Sequence, residues 1–192
     1  MKLIILDRDG VINQDRDDFV KSADEWIPIE GSMDAIAFLT QAGYTVAVAT
    51  NQSGIGRKYF TVQDLTEMHA KMHRLAVQAG GAIDGIWFCP HTAADNCDCR
   101  KPKPGMICDI LERFKAAPAE TWLVGDSLRD LQAVDAAGGK SALVLTGKGK
   151  KTLSEHENEL PENTQIFDNL LAFSQYIMQE TAQDRADGQA NP

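Results

Sequence analysis

In "LDRDG", Asp7 and Asp9 stand one residue apart, directly after a short apolar run. Further along, "GDSLRD" supplies Asp126 and Asp130, "ATNQS" supplies Thr50 and Asn51, and "CRKPKPG" supplies the adjacent cations Arg100 and Lys101. Carboxylates gathered at one point repel one another unless a cation lies among them. An oxygen-only set of this kind suits Mg²⁺, which keeps part of its water shell and works with phosphate. Ringed by that metal, a lysine and amide donors, one aspartate can attack phosphorus while stabilisation spreads over the phosphoryl oxygens. A second aspartate two residues on can handle the proton of the leaving group. Taken alone, Asp7 and Asp9 could be a solvated turn, and Thr50 with Asn51 an ordinary strand end. The convergence of four such motifs is what favours chemistry.

A second concentration of reactive side chains is "CPHTAADNCDC", which puts Cys89, His91, Cys97 and Cys99 into one short loop just before Arg100. Three cysteines and a histidine make a closed tetrahedral zinc set, and the filler "TAADN" offers nothing apolar to bury. Four protein ligands leave no open position, so the zinc would be structural. The other reading is three reduced core cysteines beside a surface histidine. Cys108 in "MICDIL" reads as core. His69 and His73, four apart, lack the glutamate and third ligand of a metal motif and read as a partly exposed helix face. "GKGKK" at 147–151 reads as a solvated basic loop, and Ser154-x-x-Glu157 as a helix-cap pattern.

These side chains need a scaffold, and the hydrophobic pattern supplies one. "KLIIL", "YTVAVAT", "GIWFC", "TWLVGD" and "SALVLTG" read as buried strands. "SMDAIAFLTQAG", "TVQDLTEMHAKMHRLAVQAGG", "PGMICDILERFK", "SLRDLQAVDAAGG" and "NLLAFSQYIMQE" read as helices. Continuous apolar strands alternating with amphipathic helices imply a three-layer, Rossmann-like α/β fold, a parallel sheet with helices on both faces. The polar motifs fall at the C-terminal ends of the strands, where open α/β sheets bind ligands. The gaps after the first and second strands are too short for a large cap domain. The pocket walls are therefore expected from the irregular stretch 13–28 and from the zinc loop.

With 192 residues, 43% of them apolar, the chain can bury one full core, and a single domain over 1–182 is expected. The polar tail 183–192 is expected to be disordered. No apolar run is long enough to cross a bilayer and the N-terminus lacks a secretory pattern, so a cytoplasmic protein without membrane partners is expected. A net charge of −9 argues against nucleic acid, while leaving room for small phosphorylated ligands held by local cations.

The ordered set DxDG, strand-end Thr, Lys and GDxxxD over residues 1 to roughly 150 resembles the haloacid dehalogenase-like phosphatases. Within that superfamily, "DRDGVIN", "TNQSGIGR", "CPH…CDCRKPKPGM" and "VGDSLRDLQAV" are similar to the D-glycero-D-manno-heptose 1,7-bisphosphate 7-phosphatases, with histidinol-phosphate phosphatases as near relatives. The resemblance implies that Asp7 is the nucleophile and Asp9 the acid/base. It implies Mg²⁺ held by Asp7, the Asp9 carbonyl and Asp126, with Asp130 orienting metal waters or Lys101. Thr50 and Lys101 would stabilise the phosphoryl group, and Arg100 would recognise substrate. Further substrate contacts would come from Arg8, Asp15, Arg16, Asp17, Asp18, Asn51, Gln52, Ser53 and Ser127. The implied activity is removal of the 7-phosphate from the heptose bisphosphate by a monomeric enzyme, a step toward the activated heptose of lipopolysaccharide core. Histidinol phosphate is the nearest alternative substrate. A nucleic-acid 3′-phosphatase and a non-catalytic zinc interaction module are more distant alternatives.

Overall fold

A computed structural model of the chain describes the backbone of residues 1–189 and the side chains of residues 1–182. Strands β1 (Leu3–Leu6), β2 (Thr45–Asn51), β3 (Gly85–Cys89), β4 (Thr121–Gly125), β5 (Lys140–Val144) and β6 (Gln165–Phe167) form one parallel sheet in the order 3-2-1-4-5-6. Helices α1 (Ser32–Gln41), α2 (Ser53–Gly56), α3 (Val62–Gln78), α4 (Gly105–Phe114), α5 (Leu128–Ala136), α6 (Gly149–His156) and α7 (Leu170–Gln189) connect and cover it. No helix is long and apolar enough to cross a membrane among the described residues.

Strand β1 shows why the sheet is double-covered. Its four side chains are fully buried and alternate in direction, as a strand requires. Ile4 and Leu6 join the cluster that holds Ile36 and Leu39 of α1, Leu65, Met68 and Met72 of α3, and Phe173 and Ile177 of α7. Leu3 and Ile5 join Met106, Ile107 and Ile110 of α4 and Val134 of α5 on the other face. Each such burial contributes about 1.5–3 kcal/mol. Helix α3 starts where Thr61 and Asp64 exchange bonds: Thr61 Oγ1 accepts from Asp64 N at 3.2 Å, and Asp64 Oδ2 accepts from Thr61 N at 2.7 Å.

The strand order reverses at β1, whose Leu6 lies level with Val48 of β2 and Val124 of β4. That register brings Asp7, Thr50 and Asp126 out of neighbouring strand ends into one crevice. Residues 7–31 contain turns and isolated bridges, Asp9 to Asn13 and Asn13 to Pro28, anchored by fully buried Trp26. This stretch is a wall of the crevice and no cap domain.

Three expectations change. The sheet has a sixth strand, β6, whose three half-covered residues carry too little pattern to read. The "GKGKK" stretch opens α6 instead of a solvated loop, and Ser154 sits inside that helix, donating to Lys151 O at 3.0 Å. Cys108 is exposed, because α4 buries Met106, Ile107, Ile110 and Leu111 and turns position 108 outward. The backbone of α7 is helical to Gln189, within the polar tail. Residues 190–192 of that tail lie outside the described residues.

Candidate active site

Asp7 leaves β1 with its N–H donated to Val124 O at 2.9 Å, so its carboxylate stands over the β1–β4 junction. Asp126 follows β4 directly and Asp130 lies in the first turn of α5. One oxygen from each of these three carboxylates lies within 4.8 Å of the others. Lys101 enters from the loop after β3 and is 1% exposed. Its Nζ donates to Asp7 Oδ1 at 2.9 Å and to Ala49 O at 2.6 Å, and pairs with Asp130 Oδ1 at 2.6 Å. Asn51 clamps the lysine backbone, donating to Lys101 O at 3.0 Å and accepting from Lys101 N at 3.2 Å.

The charges do not balance within the protein. Burial, then Asp130 and Asp9, push Asp7 up to about 6 against the pull of Lys101. Burial with repulsion from Asp130 and Asp7 raises Asp126 well above the usual carboxylate range. Burial opposes ionisation of Asp130 too, but Lys101 and Arg129 outweigh it and hold that group low. Burial alone would lower Lys101; Asp130 and Asp7 reverse the sign and raise it. Three buried carboxylates around one ammonium leave negative charge uncompensated, so the donor set fits a further hard cation bound through oxygen.

Two close approaches shape the Asp126 side. Gly10 has φ +86°, and a Cβ there would lie 2.0 Å from Asp126 Oδ2, so only glycine fits. The N–H of Lys148, which precedes α6, donates to the same oxygen at 2.7 Å, and Thr152 Oγ1 of α6 donates to Asp126 O at 2.8 Å.

Asp9 is held differently. The carbonyl of Arg8 accepts the N–H groups of Val11, Ile12 and Asn13 at 3.3, 2.8 and 3.1 Å, tightening the turn. Asp9 Oδ1 then accepts from Asn13 Nδ2 at 2.9 Å and Oδ2 from Gln52 Nε2 at 2.8 Å. Arg8 Nη2 reaches both oxygens at 2.9 Å. Burial works to raise the Asp9 pKa, but the Arg8 charge and these donors outweigh it and lower it. Gln52 Nε2 also donates to the buried Thr50 Oγ1 at 2.9 Å.

A cavity of about 270 Å³ opens over these groups. Of the residues expected at the site, Asp7, Asp9, Asp15, Arg16, Asp17, Thr50, Asn51, Gln52, Ser53, Arg100, Lys101, Asp126 and Asp130 line it. Arg8, Asp18 and Ser127 do not. Arg8 is fully buried behind Asp9, exposed Asp18 pairs with Arg16 and Lys21, and Ser127 caps α5, its Oγ donating to Asp130 Oδ2 at 2.5 Å. Sequence reading missed Phe19, Val20, Arg57, Arg129 and Lys148 in the lining. Lys148, read as solvated, pairs with Asp15 Oδ2 at 2.9 Å across the rim. The usable signal was position: Arg57, Arg129 and Lys148 each follow a strand's C-terminal end by a few residues.

Beside the cavity, Cys89 Sγ lies 3.6 Å from Cys97 Sγ and 3.7 Å from His91 Nδ1; Cys99 Sγ lies 3.4 Å from each of His91 Nδ1 and Cys97 Sγ. These separations are too long for disulfides and match the edges of a tetrahedron with arms of about 2.3 Å, so the set fits zinc. The loop is tied to the β2 end by Gln52 N to Cys89 O at 2.7 Å and Gly56 N to Pro90 O at 3.0 Å. His73 is exposed, while His69 is half-buried, edge-on to Phe88 and 3.5 Å from Arg8 Nη1.

Comparison with known proteins gives a consistent picture. The HAD-hydrolase-like family model matches residues 98–173. A D-glycero-beta-D-manno-heptose-1,7-bisphosphate 7-phosphatase of Neisseria meningitidis serogroup A is 83% identical over 187 residues, spanning 97% of this chain and 100% of the relative. The crystal structure of D,D-heptose 1,7-bisphosphate phosphatase from B. bronchiseptica, complexed with magnesium and phosphate, superposes with a TM-score of 0.91 at 54% identity, covering 94% of this chain and 99% of that one. The corresponding enzyme of Burkholderia thailandensis superposes with a TM-score of 0.74 at 49% identity, covering 93% and 99%.

Proposed function

The chain belongs to the D-glycero-beta-D-manno-heptose-1,7-bisphosphate 7-phosphatase family of HAD-like hydrolases, and on that basis we propose that it removes the 7-phosphate of the beta-anomeric heptose 1,7-bisphosphate. The observation that carries the reading is Lys101 buried between Asp7 and Asp130 within a carboxylate cluster, with Asp9 two residues beyond the nucleophile.

Asp7 attacks phosphorus and the bond to the C7 oxygen breaks; Asp9, held ionised in the free site, takes up a proton when the anionic substrate binds and gives it to that oxygen. Asp9 then takes a proton from the water that opens the aspartyl-phosphate, releasing inorganic phosphate and restoring both carboxyl groups. Lys101 and the Thr50 hydroxyl stabilise the phosphoryl oxygens. Magnesium, held by Asp7, Asp126 and the Asp9 carbonyl, supplies charge neutralisation when bound. Cys89, His91, Cys97 and Cys99 would hold a zinc ion, whose role would be to stiffen the loop that delivers Arg100 and Lys101. Arg57, Arg100 and Arg129 line the cavity without forming a carboxylate pair among the described residues, which suits them to the distal phosphate.

Phosphate release with Mg²⁺, measured on the heptose bisphosphate, its monophosphate and histidinol phosphate, tests this. The expected result is strong preference for the bisphosphate and loss of at least about 10³-fold in Asp7→Asn. Preference for histidinol phosphate, or turnover surviving in Asp7→Asn, would overturn it.

A further inference from the structure

We infer that Arg8 is a positioning residue that holds Asp9 in place, seated against His69 of α3, and does not contact substrate. The inference rests on the acid/base role proposed for Asp9.

Position 8 lies between two residues that face the cavity, and the strand-like alternation of the chain sends its side chain the other way. It ends 0% exposed, outside the cavity lining. A buried guanidinium needs an acid and filled donor positions, because an unpaired charge in that environment is costly. Asp9 is the acid: Arg8 Nη2 donates to both its oxygens at 2.9 Å, and Nε approaches Oδ1 at 3.3 Å. The remaining nitrogen, Nη1, lies 3.5 Å from His69 Nε2 and 3.9 Å from Met68 Sδ. The imidazole therefore receives the fork from behind, presenting Nε2 as an acceptor. Its own ring is set edge-on to Phe88 of β3 at a centroid distance of 6.4 Å.

The consequence is geometric. Asn13 and Gln52 each give Asp9 one neutral donor, whereas the planar fork of Arg8 orients the carboxylate plane. A lysine at position 8 would keep the charge and lose that plane. Through Arg8, the packing of α3 and β3 reaches a carboxyl group that neither element touches.

An activated aryl ester, 4-nitrophenyl phosphate, separates this role from others, because nitrophenolate leaves without a proton. Its release in the first turnover needs Asp7 alone, while opening of the aspartyl-phosphate needs Asp9 as base. Stopped-flow and steady-state rates are compared in wild type, Arg8→Met, Arg8→Lys, His69→Leu and His69→Gln. In Arg8→Met the first-turnover rate is expected to stay within about threefold while steady-state kcat falls about 100-fold and KM falls with it, leaving kcat/KM within about threefold, because only opening of the aspartyl-phosphate is slowed. Arg8→Lys is expected to recover only part of that loss, since it restores charge without the fork. His69→Leu is expected to cost several-fold in steady state only, and His69→Gln, which keeps an acceptor, to restore most of it.

A rise in KM at unchanged kcat in Arg8→Met would make Arg8 a substrate contact and overturn the inference. Equal losses in both phases would reduce it to a folding role and also overturn it. Should Arg8→Met not fold, the His69 pair decides: wild-type steady-state rates in His69→Leu would refute the seat. Because the aryl ester reports on the variants, absence of heptose bisphosphate turnover in wild type would overturn the proposed substrate without touching this comparison.

Discussion

His69 shows how a side chain away from the reacting atoms carries a measurable load. Its pKa is pushed down to about 4, by burial first and then by the Arg8 cation, against the smaller opposite pull of Asp9. In the unfolded chain it titrates near 6.5. Between those values the unfolded chain binds more protons than the folded one, so this contribution is fully present above about pH 6.5 and is lost as pH falls toward 4. The expected size at the acid end is about 3 kcal/mol. Urea midpoints at pH 7 and pH 4.5 should therefore fall less steeply in His69→Gln than in wild type; parallel slopes would remove His69 from the acid response. The sequence identifies His69 only as one turn away from His73 on a helix. Its burial depends on Arg8 and Phe88, which lie far away along the chain, and no local pattern encodes that meeting. Asp7, Asp9, Asp126 and Lys101 were legible because phosphoryl chemistry needs those types at strand ends. The resemblance placed Arg8 among the substrate contacts, and spacing alone does not say which way a side chain turns.

At the level of elements, legibility followed how far each stands on local rules. Helix α3 carries its own capping box and a Leu65–Met68–Met72–Ala76 stripe, so it was readable. Helix α6 begins with Lys and Gly and buries only Gly149 and Thr152, so packing rather than propensity makes it. A Cβ at Gly149 would sit 1.7 Å from Val144 O, a demand that appears only once β5 and α6 are together. The loop of Cys89, His91, Cys97 and Cys99 is an element of another kind: besides those four residues it has a single short 3₁₀ turn, Ala93–Asp95. Its last residues, Arg100 and Lys101, are anchored at opposite strengths. Lys101 is buried and bonded on three sides, whereas Arg100 donates only to His91 O at 3.2 Å, inside the loop itself. Loss of metal should therefore act mainly on substrate capture. Cys97→Ser is expected to lower bound zinc from about one per chain and raise KM about tenfold, with kcat changing less. Metal analysis beside steady-state kinetics checks this, and unchanged KM in a zinc-free protein would sever the loop from recognition.

At the scale of the whole molecule, a chain of net charge −9 must admit a substrate that is itself strongly anionic. Its cavity solves this locally. The inner end holds Asp7, Asp126 and Asp130 around Lys101, while Arg57 at the end of α2, Arg100 in the loop after β3 and Arg129 in the first turn of α5 contribute cations. The parallel sheet was readable from apolar runs and the meeting of Asp7, Asp126, Asp130, Arg100 and Lys101 from motif positions, but the places of Arg57 and Arg129 in this gathering of charge were not. It arises from the 3-2-1-4-5-6 order, which sets the β1 and β4 ends side by side and the β2 and β3 loops around them. A deep carboxylate site, with an outer ring of arginines that form no carboxylate pair among the described residues, should distinguish one phosphate from two. Replacing Arg57 and Arg129 together by alanine removes two charge-assisted contacts of about 1.5–3 kcal/mol each. The expected outcome is a loss of about 10²-fold or more in kcat/KM for the bisphosphate and less than about fivefold for the corresponding 7-monophosphate. The loss should shrink as salt rises, because exposed charges are screened. Equal losses on both substrates would mean that these arginines serve the reacting phosphate or the fold. Discrimination would then have to come from the acidic wall of Asp15 and Asp17, which repels a misplaced second phosphate.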